Sequence, residues 1–147
     1  MITYYTGDII KLSFDSPTVI IHICNIVNAW GKGFVLSLSS RWKDPEKEFR
    51  KEKNPQLGQV QFVSTTEHDV VVANMFAQKF IRRSSLDGSA IDLLALANCL
   101  DKVVEFAQQN TSKIIAPKIG AGLAGEKWEN IENILKKYEV NFNVYTL

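Results

Sequence analysis

Apolar residues along this chain recur in two rhythms. Unbroken runs rich in β-branched residues occur at Val19–Cys24, Val70–Met75 and Lys113–Pro117. Runs of this kind predict strands covered on both faces. Gln59–Ser64 alternates instead, with Val60 and Phe62 set against Gln59 and Gln61, and predicts a half-exposed strand. Glu67-His68-Asp69 turns that strand into Val70–Met75 as a hairpin. Ile2–Tyr5 and Phe142–Tyr145 supply a first and a last strand. The second rhythm is helical. Phe34, Val35, Leu38 and Trp42 predict a helix to about Trp42. Asp44-Pro45 starts another, with Asp as N-cap and Pro at the first helical position. That helix is densely charged, belongs on the surface and closes at Asn54-Pro55. Ser89 is expected to cap a third helix reaching about Gln108, with Leu93, Ala97, Leu100, Val104 and Ala107 as its core face. A fourth runs from about Lys127 to Lys137.

Strands alternating with helices imply an α/β fold. The expected architecture is three layers, α/β/α, around a mixed, largely parallel sheet of about six strands. No repeat, linker or low-complexity tract interrupts it, so residues 1–147 read as one domain. Ligands of open α/β sheets bind beyond the carboxyl ends of the strands. Two glycine-bearing loops leave such ends here. One spans 25–33, with Gly31 and Gly33 around Lys32. The other is Lys118-Ile119-Gly120-Ala121-Gly122-Leu123-Ala124-Gly125. They are expected to face each other across one cleft.

Composition narrows the setting. The hydrophobic fraction of 46% suffices for a core without disulfides or a structural metal. A net charge of +1 offers no global field for nucleic acid or an anionic membrane. Cys24 and Cys99 sit in apolar segments at no ligand-type spacing, as buried free thiols of a reducing compartment do. With two histidines, no zinc-type cluster is recognisable. No signal peptide or membrane-length apolar run is visible. A cytoplasmic protein without metal or cofactor is expected.

The glycines suggest the chemistry. Unpaired amides at a helix start, bared by glycine, hold anions well. Gly120 to Gly125 matches GxGxxG, but it does not open a βαβ unit and no acid stands at the required distance, so a dinucleotide fold is not indicated. No GxxxxGK[ST] is present. Asp8, after Gly7, reads as turn chemistry or as an acceptor for an exocyclic amine. Lys79, Arg82 and Arg83 read as a solvated basic loop or as a clamp on a terminal phosphate. His22, within an apolar strand, reads as a core residue or as an acid or base.

Four stretches together resemble the macro domains, which bind ADP-ribose. They are Gly7-Asp8-Ile9; His22 to Asn25 with Trp30 to Val35; Pro117 to Gly125 with Trp128-Glu129; and Val144 to Leu147. The likeness is strongest to the branch holding ADP-ribose-1''-phosphate phosphatases and the terminal ADP-ribose glycohydrolase. It implies that Asp8 and Ile9 receive adenine, with Tyr145 and Leu147 packing on it. It implies that Gly120, Ala121, Gly122, Leu123, Ala124 and Gly125 wrap the diphosphate. Asn25, Trp30, Gly31, Lys32, Gly33, Phe34 and Val35 would line the opposite side and the distal ribose. Asn25, Lys79 and His22 are the catalytic candidates that the resemblance supplies. Where the glycohydrolase type carries a catalytic Asp, this chain has Ala124, and where relatives carry an Asp after the Asn it has Ile26. The implied partners are ADP-ribose, ADP-ribose-1''-phosphate and ADP-ribosylated protein. A binding module without turnover, or one that takes another NAD-derived nucleotide, is the alternative.

Overall fold

The computed structural model describes all residues from Met1 to Leu147. Six strands form one sheet in the order β1-β6-β5-β2-β4-β3. They are β1 (Ile2–Thr6), β2 (Thr18–Asn25), β3 (Val60–Ser64), β4 (Val70–Gln78), β5 (Lys113–Ala116) and β6 (Phe142–Thr146). All neighbours are parallel except β3 and β4, which form the antiparallel hairpin. Five strands therefore end at the same edge. Every loop that leaves a carboxyl end there starts beside the others, and this edge carries the site.

Alternation along the strands separates two cores. Val19 and Ile21 of β2, Ala73 and Met75 of β4 and Val144 of β6 face one side. There they meet α3 (Leu93–Asn110) and α4 (Trp128–Leu135). Ile20, Cys24, Val72 and Phe76 face the other, against Leu38 of α1 (Phe34–Arg41) and Phe49 of α2 (Asp44–Lys51). The central strands are apolar at nearly every position because both faces are covered.

Three local expectations are corrected. The N-cap of α3 is Asp92, whose carboxylate accepts from Ala95 N at 2.9 Å. Ser89 does not cap it, because residue 91 is first bridged to Gln78 in extended form. The Ser89 hydroxyl instead accepts from Ile91 N and donates to Glu126. The buried face of α3 is also rotated from the one expected: Leu96, Cys99, Leu100, Val103 and Ala107 are inside, while Leu93, Ala97 and Val104 lie at its margin. Finally, Asp44 is the first helical residue of α2 rather than its cap, and its side chain caps nothing. Its charge still favours the helix start through the macrodipole.

Candidate functional site

The loop after β2 is built by Asn25. Its side-chain carbonyl accepts from the amides of Val27 and Ala29, and its amide donates to Ala29 O at 2.7 Å. These three bonds fold residues 25–29 into a compact turn, and Asn25 is itself buried. Trp30 then turns inward. Its indole N–H donates to Ser39 and its ring packs on Phe49. With Trp30 fixed, Gly31, Lys32 and Gly33 pass over the sheet edge. Gly33, at φ +81, precedes α1 with no side-chain cap. The amides of residues 31 to 35 donate to no group of the chain.

The loop after β5 approaches from the opposite side. Its closing bonds run from Ala121 N to Lys118 O, Gly125 N to Gly122 O and Glu126 N to Gly120 O. The amides of Gly122, Leu123 and Ala124 remain without an acceptor. A Cβ placed on Gly33 would lie 3.4 Å from Leu123 Cδ1, so the two loops touch at their tips. Between them lies a cleft of about 260 Å³. Two rows of free N–H groups thus line one opening, the arrangement that wraps a polyanion. Lys32 and Lys118 add positive charge at its wall.

A second hollow, of about 300 Å³, continues from the first and shares Gly33, Phe34 and Pro117 with it. Asp8, Ile9, Tyr145 and Leu147 line this slot. One Asp8 oxygen accepts from Ile10 N at 3.2 Å, and its other oxygen is free. The Tyr145 ring is stacked on Tyr5, with centroids 4.8 Å apart. An apolar slot with one carboxylate acceptor suits a flat heterocycle bearing an exocyclic amine.

His22 forms the floor. It is 2% exposed, and its Nε2 lies 2.6 Å from Asn74 Oδ1. The Asn74 amide nitrogen is committed to Pro45 O and Gln61 Oε1, so Asn74 Oδ1 is an acceptor and His22 Nε2 carries the proton. Burial lowers the His22 pKa to about 4, despite the Asn74 bond that opposes the shift. The ring is therefore neutral at pH 7. Burial also pushes the Cys24 thiol up and holds Cys99 at about 12, so neither is a ready nucleophile.

Of the residues singled out from sequence, the cleft and slot gather Asp8, Ile9, His22, Lys32 to Val35, Gly120, Gly122 to Ala124, Tyr145 and Leu147. Asn25, Trp30, Gly31, Lys79, Ala121 and Gly125 stand outside both linings. Asn25 and Trp30 shape the loop from beneath. Lys79 is exposed just past the end of β4. Gln78 and Lys118 line the cleft without having been singled out as site residues; each stands where a strand meets its carboxyl-end loop, and that place was the available signal. No group of three or more His, Cys, Asp or Glu side chains is placed to hold a metal ion. No helix is long and apolar enough to cross a membrane.

No family model matches the chain. Among solved structures, a Bacteroides thetaiotaomicron protein of unknown function shares 39% identity, with a TM-score of 0.91, over all of this chain and 98% of its own. A macrodomain protein from Streptomyces coelicolor shares 31% identity, with a TM-score of 0.83, over all of this chain and 99% of its own. Among characterised sequences, an ADP-ribose 1''-phosphate phosphatase of Candida glabrata is 29% identical over 99% of this chain and 98% of its own.

Proposed function

The chain belongs to the macro domain family, and on that premise we propose that it binds ADP-ribose and hydrolyses a bond at the distal ribose. The substrate is ADP-ribose-1''-phosphate or an ADP-ribosyl group on protein, and the setting is cytoplasmic, in keeping with two buried free thiols. One observation carries the reading. A slot with a free carboxylate oxygen opens directly into a cleft with free amides on both walls, and the two share Gly33, Phe34 and Pro117. A nucleoside in the first places its diphosphate in the second. Full-length similarity to ADP-ribose 1''-phosphate phosphatases supports hydrolysis.

In this proposal the amides of 31–35 and 122–124 bind the diphosphate, and the distal ribose lies beyond it. Positioning and preorganised donors supply most of the rate, with water as nucleophile. Lys79, one residue past the cleft-lining Gln78, acts at the distal ribose. Asn25 and His22 act through position: Asn25 fixes the loop, and His22 supports the cleft floor. Phosphate release from ADP-ribose-1''-phosphate is the test. Turnover that falls in Lys79→Ala while ADP-ribose affinity holds would bear the assignment out; an unchanged rate would remove Lys79.

A second reading, binding without turnover, is favoured by one specific feature. The Asn25 side-chain amide is already spent on its own loop, and Ile26 and Ala124 bring no carboxylate to the loops that flank the cleft. Tight ADP-ribose binding with no phosphate release would select this reading.

A further inference from the structure

The basic segment between β4 and α3 carries one side chain that folds back onto the site. The guanidinium of half-buried Arg82 lies against Gly125, where an added Cβ would overlap it. Gly125 is also held at φ +77. The backbone conformation disfavours side chains there, and the Arg82 guanidinium occupies the space that a Cβ would take. Arg82 Nε is buried and donates to nothing. No ion pair of the chain includes Arg82. The nearby carboxylate, Asp87, commits one oxygen to the amides of Arg83 and Ser84. A buried donor left unspent is costly unless an acceptor arrives. Its planar fork matches a phosphate better than any other side chain does. The residue preceding Gly125, Ala124, lines the cleft, and Lys32 and Lys118 line the same cleft.

We propose that Arg82 is the specificity-determining cation of this site and recognises a phosphate monoester on the distal ribose of the ligand. The inference rests on the ADP-ribose reading above and assigns its substrate class: a phosphorylated distal ribose in preference to a free one. Gly125 lets the guanidinium approach the end of the phosphate loop, and Ala124, beside it, places no negative charge in its path.

Calorimetry on the full chain with two ligands tests this. They are ADP-ribose and the hydrolysis-resistant 1''-phosphonate analogue of ADP-ribose-1''-phosphate. Wild type binds the phosphonate tighter by about tenfold or more, the worth of one charge-assisted contact. Arg82→Met removes that preference and leaves ADP-ribose affinity within about twofold. Arg82→Lys restores part of the preference, as a charge without the fork. If Arg82→Met lowers the melting temperature, Arg82→Gln keeps an N–H donor without charge and makes the same distinction. An Arg82→Met protein that keeps the preference, or loses both ligands equally, overturns the inference. Wild type that binds ADP-ribose with no preference overturns the role of Arg82 alone. Wild type that binds neither ligand removes the ADP-ribose reading and this inference with it.

Discussion

At the scale of single residues, the glycines divide by what they serve. Gly120 sits at φ +73, and a Cβ there would lie 2.8 Å from Ile131 Cδ1 and 3.2 Å from Ile91 Cγ1. The fold itself needs that glycine. Gly120→Ala should lower unfolding free energy by about 1–3 kcal/mol in a urea titration. Gly122 has nothing within 4 Å of an added Cβ. Gly122→Glu should unfold within about 0.5 kcal/mol of wild type, because it faces open space. His22 makes a prediction with a definite sign. Its folded pKa, about 4, lies below its ordinary 6.5. As pH falls through that interval the unfolded chain takes the proton first, so stability is lost with falling pH and levels off below about 4. Its packed neighbours Asn74, Trp30, Phe34 and Cys24 carry no compensating charge. Urea unfolding of His22→Gln should show a shallower decline across this window, the difference being on the order of 3 kcal/mol. Equal pH slopes would mean that the ring is not held neutral. The types of these residues were legible in the sequence, but their duties were not. Nothing in the order of residues distinguishes a glycine pressed against Ile131 from one facing open space. The same holds for Asn25, whose amide is consumed by the turn at 25–29, and for Arg82, whose contact with Gly125 exists only in three dimensions.

At the scale of elements, periodicity located the strands well because burial on both faces leaves unbroken apolar runs in β2, β4 and β5. The hairpin β3–β4 was also legible, through Glu67-His68-Asp69 and the alternation before it. Alternation did not give its exposed side, however. Phe62 stacks on Phe106 of α3 while Gln61 bonds Asn74 and the Glu48 carbonyl on the opposite face, so both sides of β3 are partly covered. The start of α3 was misplaced because Ser89 and Asp92 are both good caps, and a tertiary bridge from Gln78 to Ile91 decides between them. Asp92→Ala should therefore cost about 1 kcal/mol of stability by denaturant unfolding. A loss for Ser89→Ala as large as that for Asp92→Ala would contradict the assignment.

At the scale of the molecule, five parallel strands end together, and their loops bring two distant glycine segments into contact. The slot at Asp8 and the cleft at 32–35 and 122–124 lie end to end along that edge. Order and spacing of the motifs foretold this meeting, since the carboxyl ends of neighbouring strands leave the loops nowhere else to go. The proposed function therefore depends on main-chain donors more than on any catalytic side chain. The most direct measurement is calorimetric titration of ADP-ribose into wild type and Gly122→Glu. Wild type should bind in the micromolar range, on the order of −8 kcal/mol. The variant should remain folded and lose about a hundredfold or more in affinity, as a carboxylate displaces the diphosphate from its amides. No heat with wild type, or equal affinity in the variant, would contradict the account.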